Sequence, residues 1–308
     1  MSESVVPRLS VIIPTNRERG FLGAALASVL RNIDATDEVI IVCNGATPEY
    51  RAALERLVQP QVRVLSIETA GVAHGRMAGA RAAAGTLLLF LDDDDELIDG
   101  GVRALRSALA AEPTWSAAVG QVTKFGTVPE TPLLEYTDGP TLLDLTRLLV
   151  FPLLSPGVGV IRRSAFDRTP GFVQELAPAE DWDAWLRLSQ LGPIVGFATP
   201  MLRYRQHPLN ASGNATLMAS RSLDVFAEFR HAGSGRSFRR ACRSRAAELR
   251  TTYGPRLRSA LRNDARQLHL RSAWRTLRLT LRLSGYALRD HALYGLSLFV
   301  GRNATKRT

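Results

Sequence analysis

The chain has 308 residues, 45% of them hydrophobic, and a formal net charge of +10, which is enough to bury a sizeable core. No run of about 18 apolar residues occurs, so no obvious membrane span is expected, and the longest apolar stretch near the end, 292–301, is too short to cross a bilayer. The two cysteines, Cys43 and Cys242, make neither a disulfide framework nor a metal cluster; with no secretory leader legible in residues 1–14, a cytoplasmic, reducing setting is expected.

In chain order, Leu9–Ile13 reads as a short buried strand ending at Pro14, and Leu22, Leu26, Val29 and Leu30 recur at helical spacing. Glu38–Cys43 is a second strand. Thr47-Pro48 is a helix start, a capping hydroxyl followed by proline at the first helical position. Val62–Ile67 is a third strand, the small-residue segment Gly71–Ala84 a helix, and Thr86–Leu91 a fourth strand. Val102, Leu105 and Leu109 mark the next helix, and Ser116–Gly120 begins another strand. Strands buried on both faces and alternating with helices imply a parallel sheet covered by helices, an α/β fold. Ligands then bind at the carboxyl ends of the strands, after Ile13, Cys43 and Leu91.

Residues 121–215 are less regular. Helices are expected around Leu142–Val150 and Asp181–Leu191, and strands near Val158–Arg162 and Met201–Arg205. From about Thr216 the chain reads as helical, with a break at Gly233–Ser237. The run 277–283 alternates with period two, so a strand and a helix both remain open there.

The segment Phe90-Leu91-Asp92-Asp93-Asp94-Asp95-Glu96 carries the most chemistry. A buried strand ends in acids where ligands bind. In extended chain Asp92 and Asp94 point the same way, and two such carboxylates repel unless a cation lies between them. Hard oxygen donors suit magnesium or manganese, with open positions left for phosphate oxygens. The plainer alternative is a solvated acidic loop that caps the following helix dipole.

The ordered motifs resemble glycosyltransferase family 2, over roughly residues 9–212. Val11-Ile12-Ile13-Pro14-Thr15-Asn16-Arg17 resembles the opening strand and the loop that holds the nucleotide base. Gly71-Val72-Ala73-His74-Gly75-Arg76-Met77-Ala78-Gly79 resembles the G-V-S-x-A-R-N-x-G helix, and Phe90–Asp95 the F-L-D-x-D-D strand end. Gly171-Phe172 with Glu180-Asp181-Trp182-Asp183 resembles G-x-F…E-D-x-D, and Tyr204-Arg205-Gln206-His207 with Ser212 resembles the Y-R-x-H…S end of the core. The resemblance implies a GT-A fold over 1–215, split into a nucleotide-sugar-binding half (1–120) and an acceptor-binding half (121–215). It also implies an inverting transfer from a nucleotide-sugar donor, UDP-sugar first, to a saccharide or lipid-linked hydroxyl in cell-surface polysaccharide or glycolipid synthesis.

On the same resemblance, Pro14, Thr15, Asn16, Arg17, Asn44, Arg76, Asp92 and Asp93 form the donor site, with Arg76 meeting phosphate or the D-x-D acids, Asp92 reaching the ribose or sharing the metal, and His207 meeting the metal or the diphosphate. Asp94, with Asp92 and His207, holds Mn2+ or Mg2+. Asp181 is the general base, kept ionised by its place at a helix start, and Glu180 orients the acceptor. Trp182 and Trp185 line the acceptor pocket or the core. Three positions depart from the family: Cys43 and Asn44 stand where acids are usual, and Met77 where asparagine is usual. Asn44 can donate and accept, so base recognition is expected to survive.

The positive charge lies at the end of the chain. Residues 231–308 carry 18 Lys+Arg against 3 Asp+Glu, whereas residues 1–230 carry 21 against 26. This basic helical region, 216–308, suits an anionic membrane surface, with a solvated appendage as the alternative; no nucleic-acid module accompanies it. A dehydrogenase or nucleotidyltransferase is disfavoured because no glycine-rich phosphate loop follows Ile13. A non-catalytic, nucleotide-binding scaffold is the remaining alternative, supported by Cys43-Asn44 and opposed by the retained acids.

Overall fold

The computed structural model describes residues 8–16, 20–136, 139–152, 155–208, 210, 214–267, 269, 272 and 274–285. Arg17 and Ser212, both singled out in the sequence, lie outside them. The chain divides into two compact units, 1–210 and 211–308.

The first unit is built on one ten-stranded sheet. Strands β1 (Leu9–Thr15), β2 (Glu38–Asn44), β3 (Val62–Ile67) and β4 (Leu87–Phe90) lie parallel in the order β3-β2-β1-β4. Every residue of β1, β2 and β4 is buried, which is why these strands read as unbroken apolar runs. Their crossovers are α1 (Leu22–Leu30), α2 (Pro48–Glu55) and α3 (Val72–Ala82). Thr47 caps α2 by accepting from the Tyr50 amide at 3.3 Å, as its sequence predicts.

After β4 the chain forms β5 (Glu96–Leu97), α4 (Gly101–Ala111), β6 (Ala117–Gly126), β7 (Thr131–Leu134), β8 (Thr141–Leu142) and α5 (Leu145–Val150). It continues through β9 (Gly159–Arg162), α6 (Arg163–Phe166), α7 (Glu180–Leu188) and β10 (Ile194–Gln206). The sheet extends β4-β9-β6-β10-β5, with β9 antiparallel to β4 and β6, and β10 parallel to β6. Two direction reversals cancel, so β10 runs the same way as β1 and β4. The residues after β10 therefore emerge at the sheet edge where β1, β2 and β4 also end.

Two local expectations are corrected and one open alternative is resolved. Leu142 pairs in β8 rather than opening the helix, which begins at Leu145 under an Asp144 cap. The strand expected at Met201–Arg205 starts at Ile194, because pairing with β6 carries it back. Residues 274–285 are helical; Thr276, Leu279 and Leu283 are buried at helical spacing, and tertiary burial overrides the local alternation. In the second unit this segment is tied to α8 (Ala215–Phe229) by Arg282 donating to Asp224 at 2.6 Å. Helix α9 (Gly235–Arg266) also packs on α8. Among the described residues no helix is long and apolar enough to cross a membrane.

Helix α3 lies on β1 and β2 with glycine at the contact. A Cβ at Gly79 would stand 2.3 Å from Ile12 Cγ2, in a fully buried part of the sheet. Small residues thus let the helix approach the sheet and set the depth of Arg76, one turn earlier. Gly79→Val is expected to lower the unfolding free energy by about 1–3 kcal/mol through overpacking, read by denaturant titration.

Candidate active site

The carboxyl ends of β1, β2, β4 and β10 bring the sequence-predicted residues to one edge of the sheet. The chain turns at Asp93–Asp94, with the Asp95 amide donating to the Asp92 carbonyl. The alternation expected of extended chain therefore stops at Leu91, and the four aspartates go to four different partners. Asp92 meets Arg76. Asp93 accepts from the Thr15 hydroxyl, which is also 2.9 Å from the Tyr50 hydroxyl. Asp94 Oδ2 lies 2.9 Å from His207 Nε2. Asp95 accepts from the Arg205 amide at 2.8 Å.

Arg76 is the centre of the site. It is 3% exposed and donates through Nη1 to Glu180 at 2.7 Å and through Nη2 to Asp92 at 2.5 Å. Burial works against its charge, but Asp92 and Glu180 more than offset this and hold the guanidinium protonated. One side chain on α3 thus joins the tip of β4 to the start of α7. Glu180, expected to orient the acceptor, is instead engaged by Arg76 and is 4% exposed.

Asp181 is half-buried next to this pair, with Oδ1 accepting from the Trp182 amide at 2.7 Å. Burial first, and the adjacent Glu180 carboxylate second, push its pKa up to about 8, against the opposing pull of Arg76. The helix N-terminus does not keep it ionised, as its position alone had implied. Desolvation and a like charge outweigh the dipole, which is worth only about 0.3–1 kcal/mol at an exposed site.

Asp94 and His207 are a carboxylate and an imidazole, donor types that manganese accepts, brought together from β4 and β10. The residues present fit a divalent ion that takes two protein donors and leaves positions for phosphate oxygens, although among the described residues no group of three or more ligating side chains converges. Asp92, expected to share the metal, is turned to Arg76. Of the donor-side residues, Pro14 and Thr15 end β1 and are buried, and Asn16 is exposed. Asn44 is 2% exposed; its Nδ2 donates to the Gly71 carbonyl at 2.9 Å, and Oδ1 has no partner among the described residues.

Trp182 and Trp185 are core residues, 3% and 1% exposed, with Trp182 Nε1 donating to the Leu148 carbonyl. Met77 accepts from the Phe172 amide at 3.3 Å through its sulfur and lies under the Gly171 turn, so it packs α3 rather than facing outward.

Sequence reasoning missed several supports. Phe21 stacks on His207 with ring centroids 5.2 Å apart. Asn210 Oδ1 accepts from the His207 amide at 2.6 Å. Arg205 donates to the Asp94 carbonyl at 2.7 Å and to Glu96, and its guanidinium covers Phe21. No local pattern marks Phe21, because its partner is distant in sequence.

Residues 10–169 match the family model described as glycosyl transferase family 2. The chain belongs to that family. An uncharacterized glycosyltransferase of Haemophilus influenzae is 27% identical over 59% of this chain and 62% of its own length. A GalNAc(5)-diNAcBac-PP-undecaprenol beta-1,3-glucosyltransferase of Campylobacter jejuni is 30% identical over 32% of this chain and 34% of its own. The chain thus spans less than two thirds of these relatives. The crystal structure of S. aureus TarS 1–349 in complex with UDP-GlcNAc superposes with a TM-score of 0.59 at 16% identity, covering 90% of this chain and 92% of that one. It shares the fold, a helix-flanked and mostly parallel sheet of GT-A type followed by helices. The family match ends before α7, so Glu180, Asp181 and His207 are placed in the candidate site by geometry and not by the match.

Two outcomes follow from the buried charges. Arg76→Met strands the Glu180 carboxylate and is expected to cost about 3–5 kcal/mol in unfolding free energy. Asp181 binds its proton more tightly folded than unfolded, so its contribution to stability is present below about pH 4 and is lost as pH rises towards 8. Asp181→Asn should therefore melt progressively higher than the parent across that window, measured by thermal unfolding at stepped pH.

Proposed function

We propose that this chain is an inverting, metal-dependent glycosyltransferase that moves a sugar from a UDP-sugar to a hydroxyl of a saccharide or lipid-linked acceptor. The observation that carries this reading is the buried Arg76 link, which seats Asp181 beside the acidic tip of β4. The UDP-GlcNAc bound in TarS supports the donor class. The undecaprenol-linked substrate in the name of the Campylobacter relative supports a lipid-linked acceptor and a role in cell-surface glycan assembly.

In the transfer, the acceptor oxygen forms a bond to the anomeric carbon as the bond from that carbon to the diphosphate oxygen breaks. The electron pair leaves with the diphosphate. Asp181 takes the acceptor proton on Oδ2, since Oδ1 is held by the Trp182 amide. A base must match the operating pH to be effective, and a half-buried carboxyl titrating near 8 does so. Arg76 holds Glu180 and Asp92 in register, so that base and donor acids keep their separation. Asn44 offers Oδ1 to the donor base, with its amide nitrogen fixed on Gly71. Asp94 and His207 would hold the divalent ion, which when bound neutralises charge on the departing diphosphate.

With UDP-sugar, acceptor and manganese, kcat/KM is expected to rise with pH and to level above about 8, as Asp181 loses its proton. Asp181→Asn is expected to keep donor affinity and lose at least about 100-fold in transfer. Unchanged turnover of Asp181→Asn in a product assay would falsify the assignment. Asp94→Ala should weaken manganese-dependent UDP binding, read by calorimetry. Equal affinity with and without manganese in the parent would remove the ion from the reading.

A further inference from the structure

The second unit carries a surface that the transfer chemistry does not use. In the helical segment 274–285, Thr276, Leu279 and Leu283 are buried. Trp274, Arg278 and Leu281 recur at helical spacing on the other side. Trp274 and Leu281 are each 62% exposed, and Arg275 and Arg278 are exposed beside them. Tryptophan and leucine on one helical face, flanked by arginines, form the amphipathic pattern of a helix that lies at a lipid headgroup boundary.

The rest of the unit supplies field rather than more apolar surface. Arg236, Arg239, Arg240, Arg243 and Arg250 are exposed at helical spacing along α9. Its apolar face, with Phe238, Ala241 and Leu249, is buried.

We propose that this unit docks on an anionic lipid bilayer, with Trp274 and Leu281 at the headgroup boundary, Arg275 and Arg278 over lipid phosphates and the α9 arginines adding to the positive field. Tryptophan and leucine partition to that boundary, and arginine stems reach past it to the phosphates. A second copy is the poorer occupant, because it would set arginine against arginine. Single-stranded nucleic acid is poorer too, since Leu281 offers no ring on which a base can stack. The inference is independent of the transferase reading, because lipid binding is measured without sugar transfer.

The test is co-sedimentation of the full chain with phosphatidylcholine vesicles, with and without about one-third phosphatidylglycerol. Pelleting with the anionic vesicles is expected at about 0.05 M salt, with release at about 0.5 M as screening shortens the field. Arg278→Glu reverses one charge and is expected to weaken binding about 20-fold. Trp274→Ala should weaken it several-fold, and brominated lipid should quench fluorescence in the parent more than in Trp274→Phe. All three variants lie on the exposed face and should keep the parent's melting temperature and UDP affinity. The proposal is overturned if anionic vesicles fail to pellet the chain at low salt. It is also overturned if Arg278→Glu and Trp274→Ala bind as the parent does. Two further results would sink it: stripping of the chain from vesicles by equimolar single-stranded RNA, or a dimer that Leu281→Glu dissociates without changing vesicle binding.

Discussion

The site depends on one buried guanidinium. Arg76 bridges Asp92, at the end of β4, and Glu180, at the start of α7, and so connects two segments far apart in the chain. An isolated charge in such a place would be prohibitive; two carboxylates within hydrogen-bond reach compensate it. The arrangement gives more to position than to stability, because a buried ion pair is at best a modest source of folding energy. Its value lies in geometry: neither acid can move without uncovering the arginine.

The same link sets the chemistry of its neighbour. Asp181 is next to Glu180 in the chain, and the negative charge that Arg76 holds there helps raise the Asp181 pKa into the range where a carboxyl serves as a base. Asp95 is driven the same way by burial and by Asp92 and Asp94; it is 1% exposed and receives the Arg205 amide. Crowded carboxylates at one sheet edge divide into those paired with Arg76 and those whose pKa burial and like charge raise. Arg76 orders the α3 side, and His207, stacked on Phe21 and paired with Asp94, orders the β10 side.

The sheet makes this possible through its direction changes. β9 runs against both neighbours, so β6 and β10 recover the direction of β4. His207 therefore follows β10 to the edge where Asp94 lies, 113 residues away in the chain. The second unit obeys a simpler rule: its helices bury most of their apolar side chains and turn most arginines outward, Arg245 being the buried exception.

The sequence by itself determined the parallel half of the sheet, because β1, β2 and β4 are buried on both faces and so appear as plain apolar runs. It also determined that acids follow β4, that Thr47-Pro48 starts α2, and that the tail is basic, since these follow from residue identity and local spacing. Only the tertiary structure decided where each aspartate points, because a turn at Asp93–Asp94 breaks the alternation that extended chain would impose. It alone turned Glu180 to Arg76, raised the Asp181 pKa, placed Phe21 on His207 and made 274–285 a helix. Each of these arises from a contact or a burial between segments far apart in the chain, and such energies have no local signature.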